Sequence, residues 1–151
     1  MPPNRLKPPT RTADVMLLSR LFLLQYQARL LMLYGGEPGM RDPACFNALL
    51  EHARQMALEN TDDPFPVAAA YAMGLVAHPF RDGNVRLAAV AMAALLRLNG
   101  WLLEPPAESL IETLWAVEAG SMDAVVLTDW LRAHSRLDPT APPLEKKTSE
   151  G

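Results

Sequence analysis

The chain has 151 residues, half of them hydrophobic, and a formal net charge of −3. This length and composition predict one globular domain with its own core, and the slight acidity argues against a nucleic-acid partner, which would usually require a basic surface. The single cysteine, Cys45, excludes an internal disulfide and a multi-cysteine metal site, and we expect it to be a small packing residue in a protein of the reducing cytoplasm.

The N-terminal segment is predicted to be a flexible arm that leads into a long helix. Residues 1–11 are rich in proline and basic side chains, a composition typical of an extended and poorly ordered arm. Thr12 is a favourable N-cap and Asp14 is favourable in a first turn. The domain should therefore begin at residue 12, and its first helix should end near Leu33.

The first helix is apolar enough to raise the question of a membrane. Its stretch Val15–Leu33 is interrupted by two arginines and two glutamines, which argues against a spanning helix and against a secretory signal. We therefore expect no membrane partner, and a helix whose apolar face is buried by the fold itself or by another protein.

Glycine, proline and capping signals divide the rest of the chain into helices. The segment 34–40 is rich in helix breakers and is expected to be a loop, with a short β-hairpin over Gly35–Met40 as an alternative. Asp42 followed by Pro43 is a helix-start signature. Five further helices are predicted, over about Pro43–Leu58, Pro64–His78, Asn84–Asn99, Ala107–Ala119 and Met122–His134.

Two of these helices should be central to the fold. Val67–Ala77 carries no charge and Leu87–Leu96 is apolar on every side, so both segments are expected to be buried. Residues 137–151 are rich in proline and charge and are predicted to be a disordered tail, which leaves a domain over residues 12–136. No repeat and no convincing sheet is found, and the predicted class is an all-α bundle of about six helices.

The residues that suggest chemistry lie between the third and fourth helices. They are His78-Pro79-Phe80-Arg81-Asp82-Gly83-Asn84-Val85-Arg86. A helix that starts at Asn84 presents free backbone N–H groups, which form a site for an anion. Gly83 lets a phosphate approach the backbone closely, and Arg86 in the first turn can add a forked, charged contact.

Three further residues of this segment complete a plausible reaction site. Asp82 is an oxygen ligand beside the anion site, which suits Mg²⁺ shared with phosphates. His78 is the side chain of this segment that can accept a proton near neutral pH. Phe80 should point inward and anchor the loop in the core.

Each of these residues also has an ordinary interpretation by itself. A histidine before proline is usually a helix-end residue, Asp82-Gly83-Asn84 reads as a turn with an N-cap, and an arginine such as Arg86 is usually a solvated helix residue. Their joint spacing favours a functional site over these separate interpretations.

The nine residues resemble the motif of the Fic/Doc family, H-x-F-x-[D/E]-[G/A]-N-x-R. Six positions match, namely His78, Phe80, Asp82, Gly83, Asn84 and Arg86. The resemblance implies a helical fold and an ATP-dependent, Mg²⁺-dependent transferase. It implies that His78 is the general base for a protein hydroxyl, that Asp82 holds the metal, that Gly83, Asn84 and Arg86 hold phosphates, and that Phe80 packs.

Two features outside the motif resemble the Doc branch of that family. The segment Gly35–Asp42 resembles the G-G-x-x-G-x-R-D segment of Doc-like chains, and it implies a flap for the protein substrate at Gly35, Gly36 and Gly39. Members that transfer AMP usually carry a second arginine at the position of Ala89. The Doc branch transfers a phosphoryl group to an elongation factor of translation and is restrained by an antitoxin, so the resemblance implies both as partners.

One position departs from both branches of the family. Val85 stands where AMP-transferring members usually have glycine and Doc-like members usually have lysine. It supplies no charge, and its β-branch crowds the backbone. AMP transfer, and a catalytically impaired member that acts by binding a partner, therefore remain alternatives. An inhibitory [S/T]-x-x-x-E-[G/N] segment is not found. The two candidate glutamates, Glu59 and Glu150, are preceded at the fourth position by Gln55 and Lys146, where the segment requires serine or threonine.

The remaining histidines and tryptophans suggest no second site. His52 and His134 are expected to be satisfied or polar-face residues, since no metal-binding spacing frames them. Trp101, Trp115 and Trp130 are expected to pack in the core or on a partner surface.

Overall fold

The computed structural model of the protein describes residues 14–141, and this part of the chain forms six helices and one small sheet. The all-α class is confirmed. The helices are α1 (Arg20–Tyr34), α2 (Pro43–Glu59), α3 (Pro64–Leu75), α4 (Asn84–Leu98), α5 (Ala107–Glu118) and α6 (Ala124–Ala133). The strands are β1 (Trp101–Leu103) and β2 (Ser135–Leu137).

The two predicted central helices do lie at the centre of the molecule. Helix α3 packs against α2, α4 and α6, while α4 also contacts α1, α5 and β1. Helix α3 is buried on nearly all sides, as its lack of charge predicts. At Gly74 a Cβ atom would lie 2.4 Å from the Cβ of Leu49, so glycine is what allows α2 and α3 to approach closely.

The start of α2 follows its predicted capping signal. The side chain of Asp42 accepts a hydrogen bond from the backbone N–H of Cys45, and Pro43 occupies the first helical position. Asp123 caps α6, and its side chain accepts a hydrogen bond from the backbone N–H of Val126 at 2.9 Å. These side chains satisfy N–H groups that have no partner within a helix.

Within the described residues, the prediction that the first helix starts near Thr12 is wrong. Residues 14–19 are not helical, and α1 begins at Arg20 with Ser19 as its N-cap. Thr12 and the predicted arm over residues 1–11 lie outside the described residues. Residues 14–19 are extended because they have partners in the core. Val15 and Leu18 are buried, and both backbone groups of Met16 form hydrogen bonds with the side chain of Asn99.

The buried hydroxyl of Tyr71 fastens this extended segment to α3. It accepts a hydrogen bond from the backbone N–H of Leu18 and donates one to the carbonyl of the same residue, at 3.0 and 2.9 Å. Burial raises the pKa of Tyr71 to about 12. The phenol therefore remains protonated, and able to donate, well above neutral pH.

The small sheet was not predicted from the sequence. Strands β1 and β2 pair antiparallel, with Trp101 opposite Leu137. Each strand has three residues, too few to show an alternating pattern, and the partners are far apart in the sequence. Leu137 thus belongs to a strand, one residue beyond the predicted end of the domain at residue 136. Residues 138–141 form a turn. The rest of the predicted tail lies outside the described residues.

None of the helices in residues 14–141 is long and apolar enough to cross a membrane.

Replacing Tyr71 with phenylalanine should destabilise the fold while leaving the shape of the core unchanged. The substitution removes one hydroxyl and leaves the N–H and the carbonyl of Leu18 without their partner. Two unsatisfied backbone groups should lower the free energy of unfolding by about 1–3 kcal/mol, measured by urea denaturation. The control is Tyr34→Phe, at an exposed ring. Equal stability of the two variants would contradict the role assigned to Tyr71.

Candidate functional site

The loop between α3 and α4 holds His78 in an unusual backbone conformation. Its φ angle is +65°, the one positive value among the non-glycine residues that the structure describes. Helix α3 ends at Leu75, so the expectation that His78 closes this helix is wrong. The following Pro79 disfavours the helical conformation at residue 78, which explains the early end of α3.

Neighbouring groups hold the backbone around His78 in place. The guanidinium of Arg41 donates hydrogen bonds to the carbonyls of His78 (2.7 Å) and Ala77 (3.0 Å). The carbonyl of Pro79 accepts from the backbone N–H groups of Arg41 and Asp42. A left-handed residue of this kind costs of the order of 1–3 kcal/mol and persists where the surroundings determine it.

The side chain of Asn84 closes the loop from inside. This residue is 3% exposed. Its Oδ1 accepts from the backbone N–H of Phe80 at 3.0 Å, and its Nδ2 donates to the carbonyl of Phe80 at 2.9 Å. Nδ2 also lies 3.3 Å from Nδ1 of His78. The side-chain amide is therefore engaged within the loop. The backbone N–H groups at the start of α4 remain for the anion contact predicted at this residue.

Phe80 anchors the loop in the core. It is 1% exposed, and its ring packs edge-on against Phe46 with the ring centroids 5.2 Å apart. The backbone of the same residue forms an antiparallel bridge with Met40. Phe80 thus joins the motif loop both to the core and to the segment predicted as a flap.

The flap segment packs on the motif loop and is not a hairpin. The backbone N–H of Glu37 donates to Oδ2 of Asp82 at 2.7 Å, and the carbonyl of Gly39 accepts from the N–H of Arg81. At Gly36, where φ is +127°, a Cβ atom would lie 2.9 Å from the Cβ of Asp82. Glycine at that position is therefore needed for the close contact.

A cavity of about 380 Å³ opens beside the start of α4. Gly83, in a left-handed conformation with φ +80°, forms the N-terminal end of this helix. The motif residues that line the cavity are His78, Arg81, Asp82, Gly83, Asn84, Val85 and Arg86. The predicted catalytic, metal and phosphate residues are thus brought to one cavity, whereas Phe80 lies buried and the flap glycines Gly35, Gly36 and Gly39 are not among its lining residues.

The cavity carries positive charge that is not neutralised by ion pairs. Neither Arg81 nor Arg86 forms a salt bridge with a carboxylate in the described part of the chain. The guanidinium of Arg86 lies over the exposed ring of Tyr34, 4.2 Å from its centroid. These two cations and the N-terminus of α4 favour an anionic ligand.

Helix α5 supplies two contributions that sequence reasoning missed. Ile111 and Trp115 form an apolar wall of the cavity, although Trp115 was expected in the core or on a partner surface; it is 61% exposed. Glu118 places Oε2 2.6 Å from Nε2 of His78. Residues 111, 115 and 118 lie on one face of a helix, but the sequence alone does not show which residues that face contacts.

The residues present fit a magnesium ion shared with phosphates. Among residues 14–141 there is no cluster of three or more histidine, cysteine or acidic side chains that could hold a metal by itself. Mg²⁺ is commonly held by one or two carboxylates together with substrate phosphates and water. Asp82 fits that pattern, because its bond to Glu37 uses one carboxylate oxygen and leaves the other.

Comparison with known proteins gives two matches. Residues 17–96, just over half of the chain, match the sequence model of the Fic/DOC family. The chain is also 38% identical over 69 residues to "Protein kinase doc" of Escherichia phage P1. That alignment covers 44% of this chain and 55% of the phage protein, so the chain spans about half the length of the relative it matches.

Replacing Asn84 with alanine should loosen the motif loop. The change leaves the backbone N–H and carbonyl of buried Phe80 without partners, so the free energy of unfolding should fall by about 1–3 kcal/mol. Asn84→Asp should fare little better, because a carboxylate cannot donate to the carbonyl. Gln25→Ala, which also removes a side-chain amide, at an exposed residue of α1, should change stability by less than about 0.5 kcal/mol. The free energies of unfolding of the three variants are compared by chemical denaturation. Equal values for all three would disprove the role of Asn84.

Proposed function

The chain belongs to the Fic/DOC family, and from that membership we propose that it is a Doc-like toxin that transfers a phosphoryl group from ATP to a hydroxyl group of a protein. The similarity to the phage P1 protein kinase doc supports the Doc branch. The observation that carries the proposal is that a histidine, a carboxylate, two arginines and a helix N-terminus meet in one cavity.

Two parts of this cavity suit the two parts of a nucleotide. The start of α4, Arg81 and Arg86 can hold the triphosphate, and the apolar wall of Ile111 and Trp115 suits the uncharged portion of the molecule. Mg²⁺, held by Asp82 and the phosphates, would neutralise charge on the triphosphate when bound. Asn84 contributes through its backbone N–H and through the loop that its side chain closes.

The reaction requires a base next to the incoming hydroxyl. In the proposed step the hydroxyl oxygen bonds to the γ-phosphorus, the bond from that phosphorus to the bridging oxygen of ADP breaks, and the hydroxyl proton passes to His78. His78 suits this role because its imidazole is about half exposed at the cavity edge, while its backbone is fixed by Arg41.

The residue at position 89 favours phosphoryl transfer over AMP transfer. Ala89, one turn beyond the motif, is partly buried and packs against the core, so it adds no charge to the cavity. Val85 lines the cavity without a charge. By its resemblance to the Doc branch, the protein would act on an elongation factor of translation in the cytoplasm, and a separate antitoxin would restrain it.

Labelled ATP distinguishes the two reactions. Incubated with a cell lysate and Mg²⁺, the protein should transfer label from γ-labelled ATP and none from α-labelled ATP. His78→Ala should lower the rate by about 10²–10⁴-fold, the usual contribution of a general base. His52→Ala is the matched control, since His52 is exposed on α2 away from the cavity, and it should leave the rate unchanged.

Transfer of α-label alone would contradict the kinase proposal and indicate AMP transfer. If neither label moves, and cells expressing the protein stop growing equally with His78→Ala, the protein acts by binding a partner and has no transferase activity.

A lysine at position 85 should tighten the binding of ATP. Val85→Lys adds a cation to a cavity that already favours anions, and a long side chain can keep its charge in solvent while its stem packs. The dissociation constant for ATP, measured by calorimetry, should fall by roughly five-fold, as expected for one added surface charge pair. Val125→Lys, at a 70% exposed residue of α6, is the control. Unchanged affinity in Val85→Lys would argue against phosphates at the start of α4.

A further inference from the structure

Both ring nitrogens of His78 are engaged by side chains of the protein itself. Nε2 lies 2.6 Å from Oε2 of Glu118, and Nδ1 lies 3.3 Å from Nδ2 of Asn84. Neither contact was predicted, and Glu118 lies on α5, outside the residues that match the family. The two contacts together determine where the proton of the imidazole resides.

The orientation of the Asn84 amide is fixed by chemistry. The backbone N–H of Phe80 can only donate, so the amide atom that faces it must be the oxygen. The nitrogen therefore faces the carbonyl of Phe80 and Nδ1 of His78. Because an amide nitrogen only donates, Nδ1 must be the acceptor in this contact, and it carries no proton.

A neutral histidine whose Nδ1 has no proton carries its proton on Nε2. This nitrogen is the one that meets the carboxylate of Glu118, which accepts the hydrogen bond at 2.6 Å. Nε2 thus cannot take a proton from another molecule in this arrangement, and the lone pair of Nδ1 points at Asn84. The base that the proposed reaction requires is held in a form that cannot accept a proton from a substrate.

We propose that Glu118 is a positioning residue that keeps the proton of His78 on Nε2, and that a target hydroxyl must displace its carboxylate before His78 can act. This inference rests on the proposed function of the site. On displacement, the imidazole turns so that Nδ1 leaves the amide of Asn84. The Nε2 proton then passes to solvent and Nδ1 takes up another, so the charge of the ring does not change. Nε2 then accepts the hydroxyl proton.

The surroundings of Glu118 allow this movement. Glu118 is the last residue of α5, and its side chain is 35% exposed. In the described part of the chain its hydrogen bond to His78 is its one contact of this kind. The contact between Asn84 and Nδ1 is the longer of the two, so the carboxylate is the stronger constraint on the tautomer.

The position of the proton can be measured without any assay of activity. Two-bond ¹H–¹⁵N correlation spectra at about pH 8, above the ordinary range of histidine titration, distinguish protonated from bare ring nitrogens. We expect Nε2–H for His78. His134 is an internal control that should show the opposite tautomer, with a proton on Nδ1. This nitrogen lies 2.8 Å from the carbonyl of Trp130 and must donate. The spectrum of His78→Ala assigns the signal.

Substitution of Glu118 tests its effect on catalysis. Glu118→Ala should raise the initial rate of γ-label transfer by roughly two- to five-fold, the effect of removing one half-exposed ionic hydrogen bond. Glu118→Gln, whose amide oxygen can still accept from Nε2, should raise the rate less. Glu112→Ala makes the same change at an exposed residue of the same helix and should leave the rate unchanged.

The outcomes separate this inference from the proposed function. A proton on Nδ1, or on both ring nitrogens, would overturn the inference whatever the activity. A rate that falls or stays constant in Glu118→Ala, with the wild-type protein active, would overturn it as well. If no variant transfers label but His78 shows Nε2–H, the proposed function fails while the assignment of the resting tautomer stands.

Discussion

The hydrogen bonds between the Asn84 amide and the backbone of Phe80 are the constraint on which the candidate site depends. They join the first residue of α4 to the middle of the preceding loop, so that the loop and the helix N-terminus form one unit. The burial of Phe80 against Phe46 then fixes this unit relative to the core. His78 and Asp82 flank the unit, and their positions therefore follow from a side chain that is almost entirely buried.

The flap and the motif loop are also a single structural element. Arg41 holds the carbonyl of His78, and the backbone of Glu37 holds the carboxylate of Asp82. The buried Gln27 of α1 adds a bond to the carbonyl of Asp82. The segment that resembles a substrate flap is therefore bonded to the predicted base and to the predicted metal ligand at once, which couples any movement of the flap to the geometry of the site.

Local signals predicted most of the fold, whereas contacts distant in sequence could not be predicted. Asp42-Pro43 and the uncharged stretch of α3 are short-range features, and they correctly indicated the start of α2 and the burial of α3. The start of α1 was misplaced because Tyr71 and Asn99, far along the chain, bind the extended segment before it. The motif residues other than Phe80 and Pro79 line one cavity, but no local pattern indicates that the side chain of Asn84 closes the loop or that Glu118 contacts His78.

The site is assembled from two parts of the chain with different relations to the family. The match to the family covers residues 17–96, which include the flap, the motif loop and most of α4. The apolar wall of the cavity and the carboxylate on His78 come from α5, beyond that range. Under the proposed function, the start of α4 would hold the phosphates of any nucleotide, whereas the wall would contact its uncharged portion and the carboxylate would restrain the histidine. On that proposal, differences in nucleotide preference and in restraint between this protein and its relatives should arise chiefly in α5, where Ile111, Trp115 and Glu118 share one face.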